Sequence, residues 1–349
     1  MTSGHPRFTS TETEPLARGR EFGETWRARV RAGVEGYRSL FARAGTTDTA
    51  GPGTEALARI TAWAPELAAE IHGIADGAGL PVHEIAAVNA RTEILAGPGA
   101  PNECTTLVAL GGPGDEPIAA QNWDWYAGLA DNWLEWEIPH ADGRRTTTLT
   151  EFGIVGKIGV NDRSVGCLFN ILHHRLDGGP IGVPVHVVAR RVLDEADSPA
   201  DALRLIGTAT VSASTTLTVV GGLLAGKTAI SAELSPAGLD QVLPGPDGLL
   251  VHTNHFLSAK GAPGDTEPTT DPDTLVRYEV LRRRVHGRGR DLTGPEALAA
   301  LADHTGGVCV HPLTDAPDEF RTLVSVRVDF AERGLRVVAG SPCRATVKE

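Results

Sequence analysis

The chain has 349 residues, of which 41% are hydrophobic, so it can bury a large core, and we expect one domain. Its net charge of −12 at pH 7 argues against nucleic acid or an anionic membrane as the main partner, because phosphate binding needs a basic surface. The sequence shows neither a charged-then-apolar leader nor an apolar run of membrane-spanning length, so we expect a cytoplasmic protein.

The first hundred residues predict a helical segment. Residues 1–14 lack periodicity and predict a loose end, whereas apolar residues recur at helical spacing through residues 16–44 and predict one long helix. A second helix follows, and Pro65 bends or restarts it. A third helix begins at Pro81 and continues to Ile94.

The remaining chain predicts strands mixed with helices. Runs of β-branched and apolar residues predict strands at 134–138, 146–152, 165–171, 215–222, 227–234, 239–243 and 249–255, with a closing hairpin from 324 to 340. Helices are expected at 183–196, 199–206, 273–285 and 295–303. This order suits two sheets covered by helical layers.

The stretch from Ala96 to Asp124 contains the chemistry-bearing pattern. Residues 96–101 are rich in Gly and Pro and cannot hold regular structure, so the peptide bond before Cys104 is exposed or strained. Residues 105–110 and 117–123 predict two strands joined by a turn at 111–116. Such a hairpin brings the carboxylate of Asp124 beside the thiol of Cys104.

A cut between Glu103 and Cys104 gives the thiol its own activator. A free thiol, with a pKa of about 8.5, is only slightly ionised at pH 7. The α-amine released by the cut, with a pKa of about 7.7 to 8.0, is a general base on the same residue, so no His is required. The other interpretation of Cys104 is a buried Cys on a core strand.

Seven segments together carry a resemblance to a known family. They are NARTEI (89–94), ECTT (103–106), AQNWDW (120–125), GIVGKIGVN (153–161), GVPVHVVAR (182–190), VHTNHF (251–256) and SPC (341–343). In this order they resemble the penicillin acyltransferase-like family, of isopenicillin N acyltransferase type, among the N-terminal-nucleophile hydrolases. The resemblance implies an α+β fold, a four-layer αββα sandwich of the N-terminal-nucleophile hydrolase type.

The resemblance also implies a mechanism. Autocatalytic cleavage before Cys104 would yield a helical α chain, 1–103, and a β chain, 104–349, which together form one domain. Cys104 would be the nucleophile, Asp124 would orient or balance the α-ammonium, and Thr216 with backbone N–H groups would hold the oxyanion. The substrate would be a small-molecule amide or thioester, with water or an amine as acceptor.

Two positions depart from the pattern of the relatives. Relatives usually carry Asn where this chain has Thr216, and often Arg where it has Val310. Loss of one oxyanion donor typically costs about 3 kcal/mol of transition-state stabilisation. The rival hypothesis is therefore an unprocessed or catalytically weakened member that binds an acylated ligand.

Five further residues are candidates for the substrate pocket: Asn122, Trp123, Trp125, Asn254 and His255. The Trp cluster to which two of them belong suits an aromatic acyl pocket and equally a core. His252 and His255 have a spacing that some metal sites use, but no third ligand is apparent in the sequence, so we predict neither a metal nor a cofactor.

The remaining ionisable residues suggest structural roles at least as well as catalytic ones. Arg91 and Glu93 point in different directions as an i, i+2 pair, and either one of them reaches the junction or both are ionic anchors. The four cysteines (104, 167, 309 and 343) lack metal-knuckle spacing and predict reduced thiols. The basic run at 282–290 suits a solvated helix end. The acyl group, the acceptor and the oligomeric state stay open.

Overall fold

The computed structural model describes residues 4–96, 103–314, 316 and 319–344. Within them the strands are β1 (Arg7–Thr9), β2 (Glu103–Ala109), β3 (Ile118–Tyr126), β4 (Trp133–Pro139), β5 (Arg145–Glu151), β6 (Ile158–Asn161), β7 (Val165–Ile171), β8 (Thr215–Gly221), β9 (Thr228–Ser235), β10 (Gly238–Val242), β11 (Leu249–His252), β12 (Phe320–Asp329) and β13 (Gly334–Ala339). The helices are α1 (Pro15–Thr25), α2 (Arg27–Arg43), α3 (Ala50–Trp63), α4 (Pro65–Ala78), α5 (Val82–Asn89), α6 (Arg91–Leu95), α7 (Val185–Glu195), α8 (Pro199–Ile206), α9 (Glu267–Thr270), α10 (Asp273–Val285) and α11 (Gly294–Leu301). Most of the Gly/Pro-rich segment before the predicted cut, residues 97–101, lies outside the described residues.

Two sheets pack against each other and form the centre of the fold. One has eight strands in the order β1-β4-β5-β6-β7-β8-β9-β10, and the other has five in the order β11-β2-β3-β12-β13. Side chains join them across the interface: Gln121 on β3 donates to the carbonyl of Phe169 on β7 and accepts from its N–H. Helices α7 and α8 cover the larger sheet, and α10 and α11 cover the smaller one. The predicted α+β fold with four αββα layers is confirmed.

The burial pattern follows from this layering. All seven residues of β7 and all seven of β8 are buried, because one face of these strands meets a helix and the other meets the second sheet. One continuous apolar core includes Phe22 and Ile71 from the N-terminal helices as well as Leu168 and Val326 from the two sheets. Residues on both sides of Cys104 therefore share a core.

The N-terminal segment differs from its prediction in two ways. Residues 7–9 form β1, which pairs in parallel with β4, so the predicted loose end is wrong there; three residues are too few to show alternation. The predicted long helix is divided at Trp26, whose backbone angles are not helical. The restart at Pro65 is confirmed. Within the described residues, no helix combines the length and apolar character needed to cross a membrane.

Two predicted boundaries also change for local reasons. The third helix is divided at Ala90, which has non-helical angles between α5 and α6. Strand β6 was not predicted because four residues, Ile158–Asn161, show too little periodicity to be recognised. Ser198 caps the N-terminus of α8, because its hydroxyl accepts a hydrogen bond from the N–H of Asp201.

A buried ionic cluster fastens the N-terminal helices to the sheets. Glu70 on α4 bonds to Arg18 on α1 and to Arg190 on α7, with an Oε1–Nη1 distance of 2.7 Å to Arg190. Close approach of α1 to α4 permits this, because a Cβ at Gly19 would overlap the carbonyl oxygen of Glu70. Burial by itself raises the pKa of Glu70, but the charges of Arg18 and Arg190 outweigh burial and hold the pKa below 4.5.

Glu70→Gln should lower the free energy of unfolding by about 3 to 5 kcal/mol, because it leaves two arginines buried beside a neutral amide. Glu66→Gln makes the same change at an exposed position of α4 and should stay within about 0.5 kcal/mol. Urea unfolding at pH 7 measures both. Since the folded pKa of Glu70 is depressed, its contribution is complete above about pH 4.5 and lost as the pH falls through the folded pKa. Equal stability of the two variants would contradict the assignment.

Candidate active site

Cys104 lies on β2, beside the end of β3, in the hairpin that the sequence predicts. The antiparallel register places Cys104 opposite Trp123 and Glu103 opposite Asp124. Residues directly opposite each other share a sheet face, so the thiol and the Trp123 ring are neighbours. The backbone N–H of Asp124 bonds the thiol, and the charge of its carboxylate acts on it. The backbones of the two residues that the sequence proposed as partners are thus adjacent, while the Asp124 side chain, opposite Glu103, lies on the other face of the sheet from the thiol.

Three side chains hold the main-chain atoms of Cys104. Its N–H donates to Oδ1 of Asn254 at 3.0 Å. Its carbonyl oxygen accepts from Nδ2 of Asn170 at 3.0 Å and from Nη1 of Arg277 at 3.1 Å. Arg277 also donates to Asn254 Oδ1 at 3.0 Å, which locks the two side chains together. Cys104 is therefore fixed by groups from β7, from α10 and from the loop after β11.

Local structure explains how these side chains arrive. Strand β11 pairs with β2, with His252 opposite Thr106, so the loop that follows β11 passes Cys104. The N–H of Asn254 donates to the hydroxyl of Thr274, which anchors that loop to α10. Arg277 is three residues further along α10 and lies on the same helix face as Thr274. Helix α10 consequently sets both the loop and the guanidinium.

The thiol is neutral in the uncleaved chain. Cys104 is 4% exposed, and burial raises its pKa to about 11. The positive charges of Lys157 and Arg277 oppose this rise, while the carboxylate of Asp124 adds to it. Ionisation at neutral pH therefore requires a base beside the sulfur or a stronger positive field.

A buried cationic cluster flanks the Cys104 thiol. The Lys157 ammonium lies 3.7 Å from the centroid of the Trp123 ring and 3.9 Å from Oε2 of Glu151. Arg91 Nη2 contacts the same Glu151 oxygen at 3.0 Å, and its guanidinium stacks 4.2 Å from the Trp125 centroid. Burial, with the charge of Arg91 next, lowers the pKa of Lys157 to about 7. Two cations thus share one carboxylate beside the thiol.

Thr216 occupies a position consistent with the role predicted for it. It lies on β8 directly opposite Asn170, so the two side chains share the face turned toward the second sheet. The residue is fully buried, and among the described residues its hydroxyl has no hydrogen-bond partner. A buried hydroxyl without a partner is costly, and a ligand oxygen would satisfy it.

The candidate pocket residues separate into two groups. Trp123, Trp125 and Asn254 lie around Cys104, and the indole N–H of Trp125 donates to the Tyr37 hydroxyl at 3.1 Å. Asn122 instead donates to the carbonyls of the α11 end and the loop after it, and its Oδ1 accepts from a hydroxyl on β12. The Asn122 amide is thereby engaged in fastening α11 to β3, a structural role and not the pocket role that the sequence suggested.

The histidines of the HTNH segment have separate partners. His252 contacts Oε1 of Glu233 at 2.8 Å and the Thr253 carbonyl at 2.9 Å. His255 lies against Thr274 and packs edge-on to Tyr278 at 5.2 Å. Burial lowers the pKa of His255 to about 4, so this imidazole is neutral. The contacts of the two rings stabilise the loop that carries Asn254.

Arg91 and Glu93 diverge, as predicted from their spacing. Arg91 points to Glu151 and the aromatic rings, and its charge acts on the Cys104 thiol. Glu93 accepts the N–H of Val185 at 2.8 Å, at the start of α7, where a carboxylate is favoured. Burial raises the pKa of Glu93 to about 7. Arg91 is thus the member of the pair whose charge acts on Cys104.

Sequence analysis missed three residues of the site. Asn170 is a polar residue in the otherwise apolar strand VGCLFNI, and that exception was a usable signal. Lys157 was visible inside GIVGKIGVN, but nothing local indicated its burial. Arg277 belongs to an Arg-rich helix and had no distinguishing pattern. Its guanidinium reaches the carbonyl oxygen of Cys104 from α10.

Most of the chain matches a known protein family. The profile of the acyl-coenzyme A:6-aminopenicillanic acid acyl-transferase family matches residues 111–344, more than half of the chain. The chain belongs to this family. The matched segment begins after Cys104 and contains Asp124, Lys157, Thr216 and Asn254. The family resemblance drawn from the sequence is confirmed.

One curated protein and two solved structures are similar to this chain. The 40 kDa form of acyl-coenzyme A:6-aminopenicillanic-acid-acyltransferase from Emericella nidulans is 33% identical over 225 residues, 64% of this chain and 60% of that protein's length. The N-acylethanolamine-hydrolyzing acid amidase ortholog of Caenorhabditis elegans has 14% identity and a TM-score of 0.48, covering 67% of this chain and 100% of that one. Penicillin V acylase from Agrobacterium tumefaciens has 14% identity and a TM-score of 0.45, covering 68% and 83%.

Lys157→Met tests the cationic cluster. Removing this charge should raise the pKa of the Cys104 thiol by about one unit and slow its alkylation about tenfold at a fixed pH. The difference should be largest below about pH 7, where Lys157 is charged. Iodoacetamide labelling followed by peptide mass spectrometry measures it, with proteins compared in the same state of cleavage. Lys260→Met, at an exposed lysine, is the control, and an unchanged Cys104 profile in Lys157→Met would disprove the coupling.

Proposed function

We propose that this chain is a self-processing cysteine N-terminal-nucleophile enzyme, an amidohydrolase or N-acyltransferase that acts on an amide or thioester of a small molecule. The observation that carries the proposal is the hydrogen bond from the Cys104 N–H to Asn254 Oδ1. A buried side chain is already bound to the atom that cleavage would convert into the catalytic amine. Strand β11 ends at the residue opposite Thr106, so the Asn254 side chain takes the place where a neighbouring strand would otherwise bond the Cys104 N–H.

Cleavage proceeds through the thiol. Cys104 Sγ attacks the carbonyl carbon of Glu103, the peptide C–N bond breaks, and the acyl chain is transferred to sulfur while the nitrogen takes a proton. Water then hydrolyses the thioester, which regenerates the thiol and frees the carboxyl group of Glu103. The products are an α chain, 1–103, and a β chain that begins at Cys104. The positive charge of Lys157 favours the thiolate that attacks.

The new α-amine supplies the base for turnover. It accepts the thiol proton, directly or through water, while Asn254 and Asp124 orient the ammonium and balance its charge. Sulfur attacks the substrate carbonyl and forms an acyl-enzyme. Thr216 and backbone N–H groups donate to the oxyanion. Attack by water on the acyl-enzyme gives hydrolysis, and attack by an amine gives acyl transfer.

The two products should stay together as an α/β heterodimer. Strand β1 and Arg91 belong to the α chain, yet β1 pairs with β4 and Arg91 pairs with Glu151 on β5. Glu70 adds a buried ion pair to Arg190 of the β chain. Separation would expose these charges and part of the common core.

We infer the substrate class from the name of a relative and from the side chains beside the Cys104 thiol. The name of the Emericella nidulans relative supports a coenzyme A thioester as one acyl donor. Trp123 and Trp125 beside the thiol favour an apolar or aromatic acyl group. The rival function, binding of an acylated ligand without turnover, draws on Thr216 and Val310, where the chain lacks the donors of its relatives. Activity on acyl amides or thioesters separates the two.

Purified protein should become two fragments, with an intact mass that places the cut between Glu103 and Cys104. Cys104→Ala should stay whole, because it has no sulfur to receive the acyl chain. Cys167→Ala, at a buried cysteine on β7, is the matched control and should be cut like the wild type. A wild-type chain that stays intact after prolonged incubation would favour the rival function.

Thr216→Val keeps the shape of the side chain and removes its hydroxyl. If this hydroxyl donates to the oxyanion, turnover should fall about 100- to 1,000-fold, the range for one such donor. Substrate binding should change little, because the bond strengthens as charge develops on the carbonyl oxygen.

Thr218→Val on the same strand is the control, since its hydroxyl bonds Ser231 at 2.7 Å and not the site. A chemistry-limited assay of both variants decides the role. Wild-type turnover in Thr216→Val would leave the oxyanion to backbone donors or another side chain.

A further inference from the structure

Four side chains with metal-ligand chemistry converge outside the nucleophile site. They are His304, Cys309, His311 and Cys343, and their ligand atoms all lie within 4.8 Å of one another. His304 lies in the turn after α11, Cys309 and His311 lead into β12, and Cys343 is in the turn after β13. Two thiols and two imidazoles form a ligand set that tetrahedral zinc uses in structural sites.

The distances within the group fit a shared ion. His311 Nε2 lies 3.2 Å from His304 Nε2, 3.2 Å from Cys343 Sγ and 3.6 Å from Cys309 Sγ. Zinc bond lengths near 2.0 to 2.3 Å place neighbouring ligand atoms of a tetrahedron about 3.3 to 3.8 Å apart. The three distances from His311 therefore match the edges of a zinc tetrahedron closely.

Hydrogen bonding alone explains the group poorly. The His311 Nε2 atom carries either one proton or one lone pair, so it forms one good hydrogen bond, although three ligand atoms lie within 3.6 Å of it. A cation at the centre satisfies all four lone pairs at once.

The backbone around the group is already fixed. The N–H of Cys309 donates to the Asp303 carbonyl at 2.8 Å, and Val310 is bonded to Thr322 on β12 through both its N–H and its carbonyl. Asn122 on β3 binds the carbonyl of Val308 at 2.8 Å. The ligands thus come from anchored loops, which reduces the ordering cost of binding an ion.

We propose that His304, Cys309, His311 and Cys343 form a structural site for one zinc ion. The ion joins the C-terminal turn to the loop between α11 and β12. That loop is bound to β3 through Asn122, two residues from Asp124, so the site braces the strand that carries Trp123 and Asp124. With four protein ligands the site is closed, which distinguishes it from a catalytic metal centre.

The test must keep the ion separate from the nucleophile, because an N-terminal Cys with its amine also binds zinc. We therefore use Cys104→Ala as the background, in which the full chain stays in one piece. His304→Asn and Cys343→Ser are made in it; both side chains lie at exposed positions, so the core is unchanged. His286→Asn, another exposed histidine, is the matched control.

Protein purified with zinc and then dialysed should hold about one ion per chain in the background and in the control, and less than about a tenth of an ion in the two ligand variants. Cobalt should give intense thiolate-to-metal absorption that Cys343→Ser weakens or removes. A reduced chain that holds no zinc would overturn the proposal. So would a metal content unaffected by both ligand changes, or a native Cys309–Cys343 disulfide that excludes the ion.

Discussion

The structure depends on the way in which Cys104 is held between the two sheets. Its N–H is bound by Asn254 and its carbonyl by Asn170 and Arg277, three buried side chains from three different parts of the chain. Charged and amide donors buried this deeply are stable only when they are bonded, so the sheets, the loop after β11 and α10 must keep one relative position. The geometry of a reactive centre is in this way fixed by hydrogen-bond satisfaction as much as by apolar packing.

The electrostatics of the site reflect a compromise between burial and charge. Burial alone makes the Cys104 thiol harder to ionise, and the surrounding cations oppose it. Arg91 and Lys157 share the single carboxylate of Glu151, and burial, followed by the charge of Arg91, lowers the pKa of Lys157. An apolar replacement of such a cluster would often be at least as stable, so its presence beside the thiol is better explained by chemistry than by stability.

The sequence predicts those features of the fold and the site that depend on residues close together in the chain. The hairpin that joins Cys104 to Asp124 follows from a Gly-rich turn between two β-branched runs, and the helical layers follow from periodicity. Arg277 and Lys157 approach Cys104 only through tertiary packing, which no short pattern records. Asn122 is the opposite case, a residue that sequence position places near Cys104 and tertiary structure does not. It is next to Trp123 in sequence, but alternation along β3 turns its amide toward α11. The metal-ligating group spans residues 304–343, so its members are invisible to a search for closely spaced ligands.

The N-terminal segment contributes side chains to the surroundings of Cys104. Arg91 and Tyr37 precede Cys104 in the chain, yet Arg91 stacks on Trp125 and Tyr37 accepts the N–H of that indole. Their shared partner, Glu151, lies on β5, after the proposed cut. Loss of the segment would leave Glu151 without Arg91 and Trp125 without its bonding partner, both in the interior. Cleavage before Cys104 can therefore free an amine without dismantling the site only if the severed segment remains bound. The apolar core shared by both segments, and the cost of leaving Arg91, Tyr37 and Glu70 without their partners, oppose its separation.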